Sequence, residues 1–106
     1  MSVLNRREVW LTDLGMVAKV RPCLIVSIPV TMQDRALVCL IPHTTALRGS
    51  RFEVELRLRF LKPGAFDVQN LVTVPQVKLI RKLGVLTEME MAAIEERLKL
   101  WLNLND

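Results

Sequence analysis

Between Arg51 and Phe60 apolar and charged residues alternate without a break: Phe52, Val54, Leu56, Leu58 and Phe60 stand between Arg51, Glu53, Glu55, Arg57 and Arg59. A period of two is that of a β-strand, whose successive side chains point to opposite faces. One face of this segment is therefore expected to be buried and the other charged and wet, which commits the chain to a sheet with a core against it. The stretches around it agree. Residues 8–13 read as a first strand, with Val9 and Leu11 on one face and Trp10 on the other. Residues 22–30 are rich in β-branched side chains and apolar on both faces, which predicts a central strand whose pairing Pro29 ends. Residues 31–34 read as a turn and 35–41 as a third strand, stopped by Pro42; 46–50, with Gly49, read as a loop. Lys62-Pro63-Gly64 is a turn, residues 68–74 a strand closed by Pro75, and 77–83 fit either a helical turn or another short strand.

The chain ends differently. Thr87 followed three residues later by Glu90 is a capping box, and Leu86 with Met91 forms the accompanying hydrophobic staple. Met91, Ile94, Leu98 and Trp101 then fall on one face of a helix, with Arg97 and Lys99 near the end where a cation suits the helix dipole. Short strands followed by one terminal helix predict a mainly β fold: a small antiparallel sheet curled into a partly closed barrel, with the helix packed on it. Free strand edges in such a fold are suited to cover by a second copy of the chain.

A length of 106 residues fits one domain, and a 51% hydrophobic content is enough for a core without staples. Cys23 and Cys39 lie in apolar runs without metal-ligand spacing, so they are read as buried free thiols of a reducing compartment. Arg6, Arg7 and Glu8 follow Val3-Leu4 too closely for a secretory leader, and no apolar run reaches membrane-spanning length. The expectation is a cytoplasmic protein with no membrane, metal or cofactor. Its net charge of +4 suits a polyanionic partner without demanding one.

Chemistry concentrates where the third strand is expected to stop. Pro42 is followed by His43, Thr44 and Thr45, three polar side chains at a strand end, and Arg21-Pro22 opens the apolar run about twenty residues earlier. With these residues in place, the chain resembles the MazF/PemK toxins of type II toxin–antitoxin systems over nearly its whole length. The similarity rests on five segments in order: EVWLTDLG, RPCLIVS, IPHTTALRGSRFEVEL, VPQVKLI and the terminal amphipathic helix. The resemblance implies an SH3-like barrel of the CcdB/Kid/MazF kind, usually a homodimer. It also implies a sequence-selective, metal-independent endoribonuclease in which the ribose 2′-hydroxyl attacks the adjacent phosphate. The family arginine falls on Arg21 and the family threonine on Thr44. The implied partners are single-stranded RNA and a cognate antitoxin whose acidic, disordered tail lies across the site.

Two departures stand out. The connection from Asp13 to Arg21 is shorter than in many relatives and lacks their Gly-x-Glu-Gln pattern, and Pro75 stands before Gln76 where some relatives have an acidic residue. The latter shifts proton transfer towards Arg21 and His43, the one side chain here whose ordinary pKa is near neutrality. Each residue also has a plainer reading. Arg21 either holds a phosphate with its fork of donors or caps a strand edge beside Asp13. Thr44 and Thr45 either donate to a phosphate or bond the local backbone. His43 is an acid–base group or a structural histidine, and Gln76 reads a base edge or closes a turn. Lys19, Arg48 and Arg51 are candidates for phosphates of a single strand. Arg57 and Arg59 read better as a solvated face paired with Glu53 and Glu55. Trp10 and Trp101 read as core or interface, and Leu14, Met16 and Val17 as either an antitoxin or dimer contact or a hydrophobic strand end. Two rival functions share the fold: a gyrase-targeting toxin that cuts nothing, and a degenerate module that binds RNA or antitoxin without turnover.

Overall fold

The computed structural model describes residues 3–15 and 19–104; Met16 and Val17 of the expected antitoxin or dimer contact lie outside them. Seven strands run in the order β1 (Glu8–Asp13), β2 (Val20–Ile25), β3 (Leu37–Thr44), β4 (Glu53–Glu55), β5 (Ala65–Asp67), β6 (Val72–Pro75) and β7 (Leu79–Val85), before helix α1 (Glu88–Leu102). They form one antiparallel sheet in the order β4-β5-β3-β2-β1-β7, with β6 also on β3. Its ends, β4 and β7, do not pair, so the sheet stays open.

Strand β3 organises the molecule. One edge pairs with β2, while the other pairs with β6 over Leu37–Leu40 and then with β5 at His43 and Thr44. Pro42 was expected to stop this strand, but β3 runs through it to Thr44. The reason is local: neither Ile41 nor Pro42 has a partner on the β5/β6 edge, so the amide hydrogen that proline lacks falls where the ladder is already interrupted.

The sheet is buried on both faces. Towards α1 lies a core of Val9, Leu24, Ile41, Phe52, Phe66, Val68, Leu86, Met91 and Ile94, and on the other face lies one of Cys23, Ile25, Val38 and Leu40. Alternate residues of β2 and β3 go to each, as their two-sided apolar character requires. Burial pushes the Cys23 thiol up to about 11, so it packs as an inert small hydrophobe, while Cys39 is half-buried. The capping box forms as expected: the Glu90 amide donates to Thr87 Oγ1 at 3.1 Å and the Thr87 amide to Glu90 Oε1 at 2.8 Å. Leu86 and Met91 are both buried in the core beneath the helix.

Three expectations for strands are corrected. The strand expected over residues 22–30 ends at Ile25, because Ser27 Oγ accepts the Cys39 amide at 2.9 Å in place of a backbone carbonyl. The alternation over residues 51–60 holds as burial, yet only Glu53–Glu55 is ladder, because the partner β5 is three residues long. The strand expected over 68–74 begins instead as a turn of 3-10 helix at Val68–Asn70 and becomes ladder only in β6, while β5 just before it was not expected.

Candidate active site

The register of β2 and β3 builds the site. Cys23 pairs with Pro42, the last pair of that ladder. Continuing the register sets Pro22 opposite His43 and Arg21 opposite Thr44. The two dipeptides singled out in the sequence thus lie together at one end of the sheet, just beyond the last pair of that ladder.

Alternation then divides them between faces. His43 shares its face with Leu11, Pro22 and Arg81, because Leu11 pairs with both Pro22 and Arg81. Together with Thr45, Phe60, Leu61 and Lys62 they line a cavity of about 440 Å³ that Arg21 and Thr44 also reach. Every fully charged side chain lining it is a cation: Arg21, Lys62 and Arg81. Lys62 and Arg81 form no ion pair among the described residues. On the other side of Arg21 and Thr44 is a smaller depression of about 180 Å³, reached by Leu14, Pro42, Arg48, Glu53, Asp67 and Asn70.

Thr44 Oγ1 accepts the Ala46 amide at 3.0 Å. That bond occupies a lone pair and leaves the hydroxyl hydrogen available for an outside acceptor. His43 is 4% exposed, and its ring meets Phe66 edge-on with centroids 5.0 Å apart. Its Nε2 is buried without a hydrogen-bond partner. Burial lowers its pKa from the usual 6.5, so at neutral pH the imidazole is uncharged. Gly64 packs so closely on this pair that a Cβ there would strike the Thr44 carbonyl oxygen and approach His43 Cε1 to 2.7 Å.

The remaining expected residues scatter. Thr45 lines the larger cavity and Arg48 the smaller. Lys19, at a positive φ of 57°, closes the β1–β2 connection through a 2.6 Å bond from its amide to the Gly15 carbonyl, and lines neither cavity. The Arg51 guanidinium sits 4.8 Å above the Phe52 ring, beside Trp101 of the helix. Gln76 donates to the Leu37 carbonyl at 3.4 Å, at the opposite end of β3 from His43 and Thr44. Pro75 pairs with Leu37 there, so the position that is acidic in some relatives is remote from this chain's cavity. Glu53 does not serve as a strand partner for Arg57 or Arg59. It accepts the backbone amides of Arg48, Gly49 and Ser50, led by Arg48, and they hold its carboxyl below the usual range.

Sequence reasoning missed Lys62, Arg81 and Asp67. The 3-10 turn at Gln76–Lys78 hides the phase of β7, so only the Leu11 pairing sets Arg81 in line with Pro22, with Leu11 between them. Among the described residues no three His, Cys, Asp or Glu side chains converge as a metal-ligand set, and no helix is long and apolar enough to cross a membrane.

Comparison with known proteins bears on this geometry. The family model described as PemK-like, MazF-like toxin of type II toxin–antitoxin system matches residues 5–102. The Mycobacterium tuberculosis toxin MazF-mt6 is similar in structure, with a TM-score of 0.81 and 27% identity over 94% of this chain and 100% of its own. An endoribonuclease solved with its cognate antitoxin from a mycobacterial species gives a TM-score of 0.82 and 26% identity over 100% of this chain and 99% of that one. MazF in a MazE–MazF complex from Deinococcus radiodurans gives 0.82 at 18% identity, over 99% of this chain and 100% of that one, a likeness of fold. No curated protein sequence matches the chain significantly.

Proposed function

The chain belongs to the PemK-like, MazF-like toxins of type II toxin–antitoxin systems, and from that premise we propose that it is an endoribonuclease that cleaves single-stranded RNA at the cation-lined cavity. The observation that carries this reading is that Arg21, His43 and Thr44 line one cavity whose formal charges are all positive. The reaction is an internal transfer at phosphorus. The 2′-oxygen forms a bond to the phosphorus as the bond to the 5′-oxygen breaks. The proton of the 2′-hydroxyl passes to a base, and another is delivered to the departing 5′-oxygen. The products are a 2′,3′-cyclic phosphate and a 5′-hydroxyl.

Charge builds on the non-bridging oxygens as the phosphorus becomes pentavalent, and donors fixed in place for that charge supply the largest catalytic effect. Arg21 holds two of those oxygens with its planar fork. Thr44 donates its hydroxyl hydrogen, its oxygen being engaged by Ala46. His43, kept neutral by burial, is in the state to accept the 2′-hydroxyl proton. Lys62 and Arg81 attract the neighbouring phosphates, with Thr45 at the rim. This mechanism requires no metal.

The same surface suits an antitoxin. A groove along residues 55–64 shares Leu61 and Lys62 with the cavity and combines Leu56, Leu58, Arg57 and Arg59. An acidic tail with apolar anchors matches that lining, and cognate antitoxin is present in the mycobacterial complex. The outer edge of β7, with Ile80 and Val85 exposed, is suited to pair with a second copy in a homodimer. The site of action is the cytoplasm, where messenger RNA is found. The test is incubation of the purified protein with a long single-stranded RNA in EDTA. Cleavage that Arg21→Ala lowers at least a hundredfold is expected; intact RNA, or cleavage indifferent to Arg21→Ala, contradicts the reading.

A further inference from the structure

A phosphodiester carries a nucleoside on each side, and the proposed phosphate site has a depression on each side. Arg21, Thr44 and Ala46 line both. The larger, on the His43 face, is about 440 Å³ and rimmed by cations, whereas the smaller, on the Pro42 face, is about 180 Å³ and of mixed character. Drug-sized ligands occupy pockets of roughly 300–1,000 Å³. The smaller depression is therefore of a size for one planar base.

Its chemistry narrows the choice. Leu14 and the buried Pro42 offer apolar surface to a ring face. Two carboxylates line the pocket, but Glu53 already accepts three backbone amides. Asp67 is different. It follows the β5 residues that pair with β3, is half-buried, and makes no side-chain cap to the 3-10 turn it precedes. A carboxylate is an acceptor only. Arg48 and Asn70, whose side chains carry donors, line the same pocket, while Glu53 is the cross-strand partner of Asp67.

We propose that this depression reads a single cytosine flanking the scissile phosphate, with Asp67 as the specificity-determining residue and Arg48 and Asn70 completing the match; the inference rests on the endoribonuclease reading. Cytosine presents an amino donor at N4 beside acceptors at N3 and O2. An acidic side chain accepting from N4 is the established way to read that base. Uracil presents the reverse order, an O4 acceptor beside an N3–H donor, and would set its O4 against the Asp67 carboxylate with no hydrogen between them. Single-stranded RNA exposes these edges, which a duplex hides.

The test uses a pool of single-stranded RNA with randomised sequence, cleaved by the wild type, Asp67→Asn and Asn70→Ala, with the new ends sequenced. Cytosine is expected to be enriched at one fixed position beside the cleaved bond in the wild-type products. Asp67→Asn, which adds a donor without changing shape, is expected to shift that position towards uracil by about tenfold, and Asn70→Ala to relax it. Other positions of the motif are expected to stay as in the wild type, and both variants to remain folded, Asp67→Asn with the like-charge pairing to Glu53 relieved. Cytosine enrichment unchanged in Asp67→Asn, or no enrichment beside the cut, overturns the inference and leaves the endoribonuclease reading standing. Absence of any cleavage by the wild type overturns both.

Discussion

Thr44 and His43 are consecutive in β3 but reach the cavity in different states. The Thr44 oxygen is held by the Ala46 amide at 3.0 Å, which turns the hydroxyl into a donor of fixed origin. Thr44→Val keeps the shape and the β-branch while removing that donor. Its cleavage rate is expected to fall by about 10²–10³, with Thr44→Ser close to wild type; single-turnover rates check this. His43 carries a buried, unpartnered Nε2 and a pKa lowered by burial from 6.5. Below about pH 6.5 the unfolded chain binds a proton that the native imidazole refuses, so stability is lost as pH falls from there towards the lower native value. The melting temperature of the wild type is therefore expected to drop more between about pH 7 and 5 than that of His43→Gln, measured by thermal denaturation across pH. The residues themselves were legible in the sequence. What was not legible was the face each occupies, because that depends on Pro42 lying inside β3.

At the scale of elements, β3 and the turn before β5 hold the site together. Gly64 lets the turn lie against the Thr44 carbonyl and the His43 ring. Gly64→Ala introduces a Cβ into backbone that has little room to move, and is expected to destabilise the fold by about 1–3 kcal/mol and to lower cleavage through displacement of Thr44. Urea denaturation together with initial rates measures both effects. The elements that sequence reading recovered were those with a local cause. Helix α1 has its capping box and apolar face, and β1 matches its expected limits. The elements it misjudged depend on partners far along the chain. The alternation of residues 51–60 places its apolar side chains against the core, but hydrogen bonding stops where β5 ends. The Ser27 side chain that cuts β2 short acts on a residue in another strand.

At the scale of the molecule, an open sheet buried on both faces brings four segments distant in sequence to one end: residues 21–22, 43–46, 60–62 and 81–83. The first two carried the resemblance and were visible before the fold was known. The last two, with Lys62 and Arg81, add to the positive charge of the cavity, and the place of Arg81 follows only from the pairing of β1 with both β2 and β7. Gln76 and Arg51, attractive by position in the sequence, end up away from the cavity, one at the far end of β3 and the other over the Phe52 ring. The proposed reaction turns a ribose 2′-hydroxyl onto its own phosphate at this end of the sheet. The most direct measurement is the chemistry of the ends left on a single-stranded RNA cut in EDTA. The account predicts upstream fragments ending in a 2′,3′-cyclic phosphate, and downstream fragments whose 5′-hydroxyl accepts a label from a polynucleotide kinase without prior phosphatase. Fragments bearing a 5′-phosphate and a free 3′-hydroxyl would contradict it.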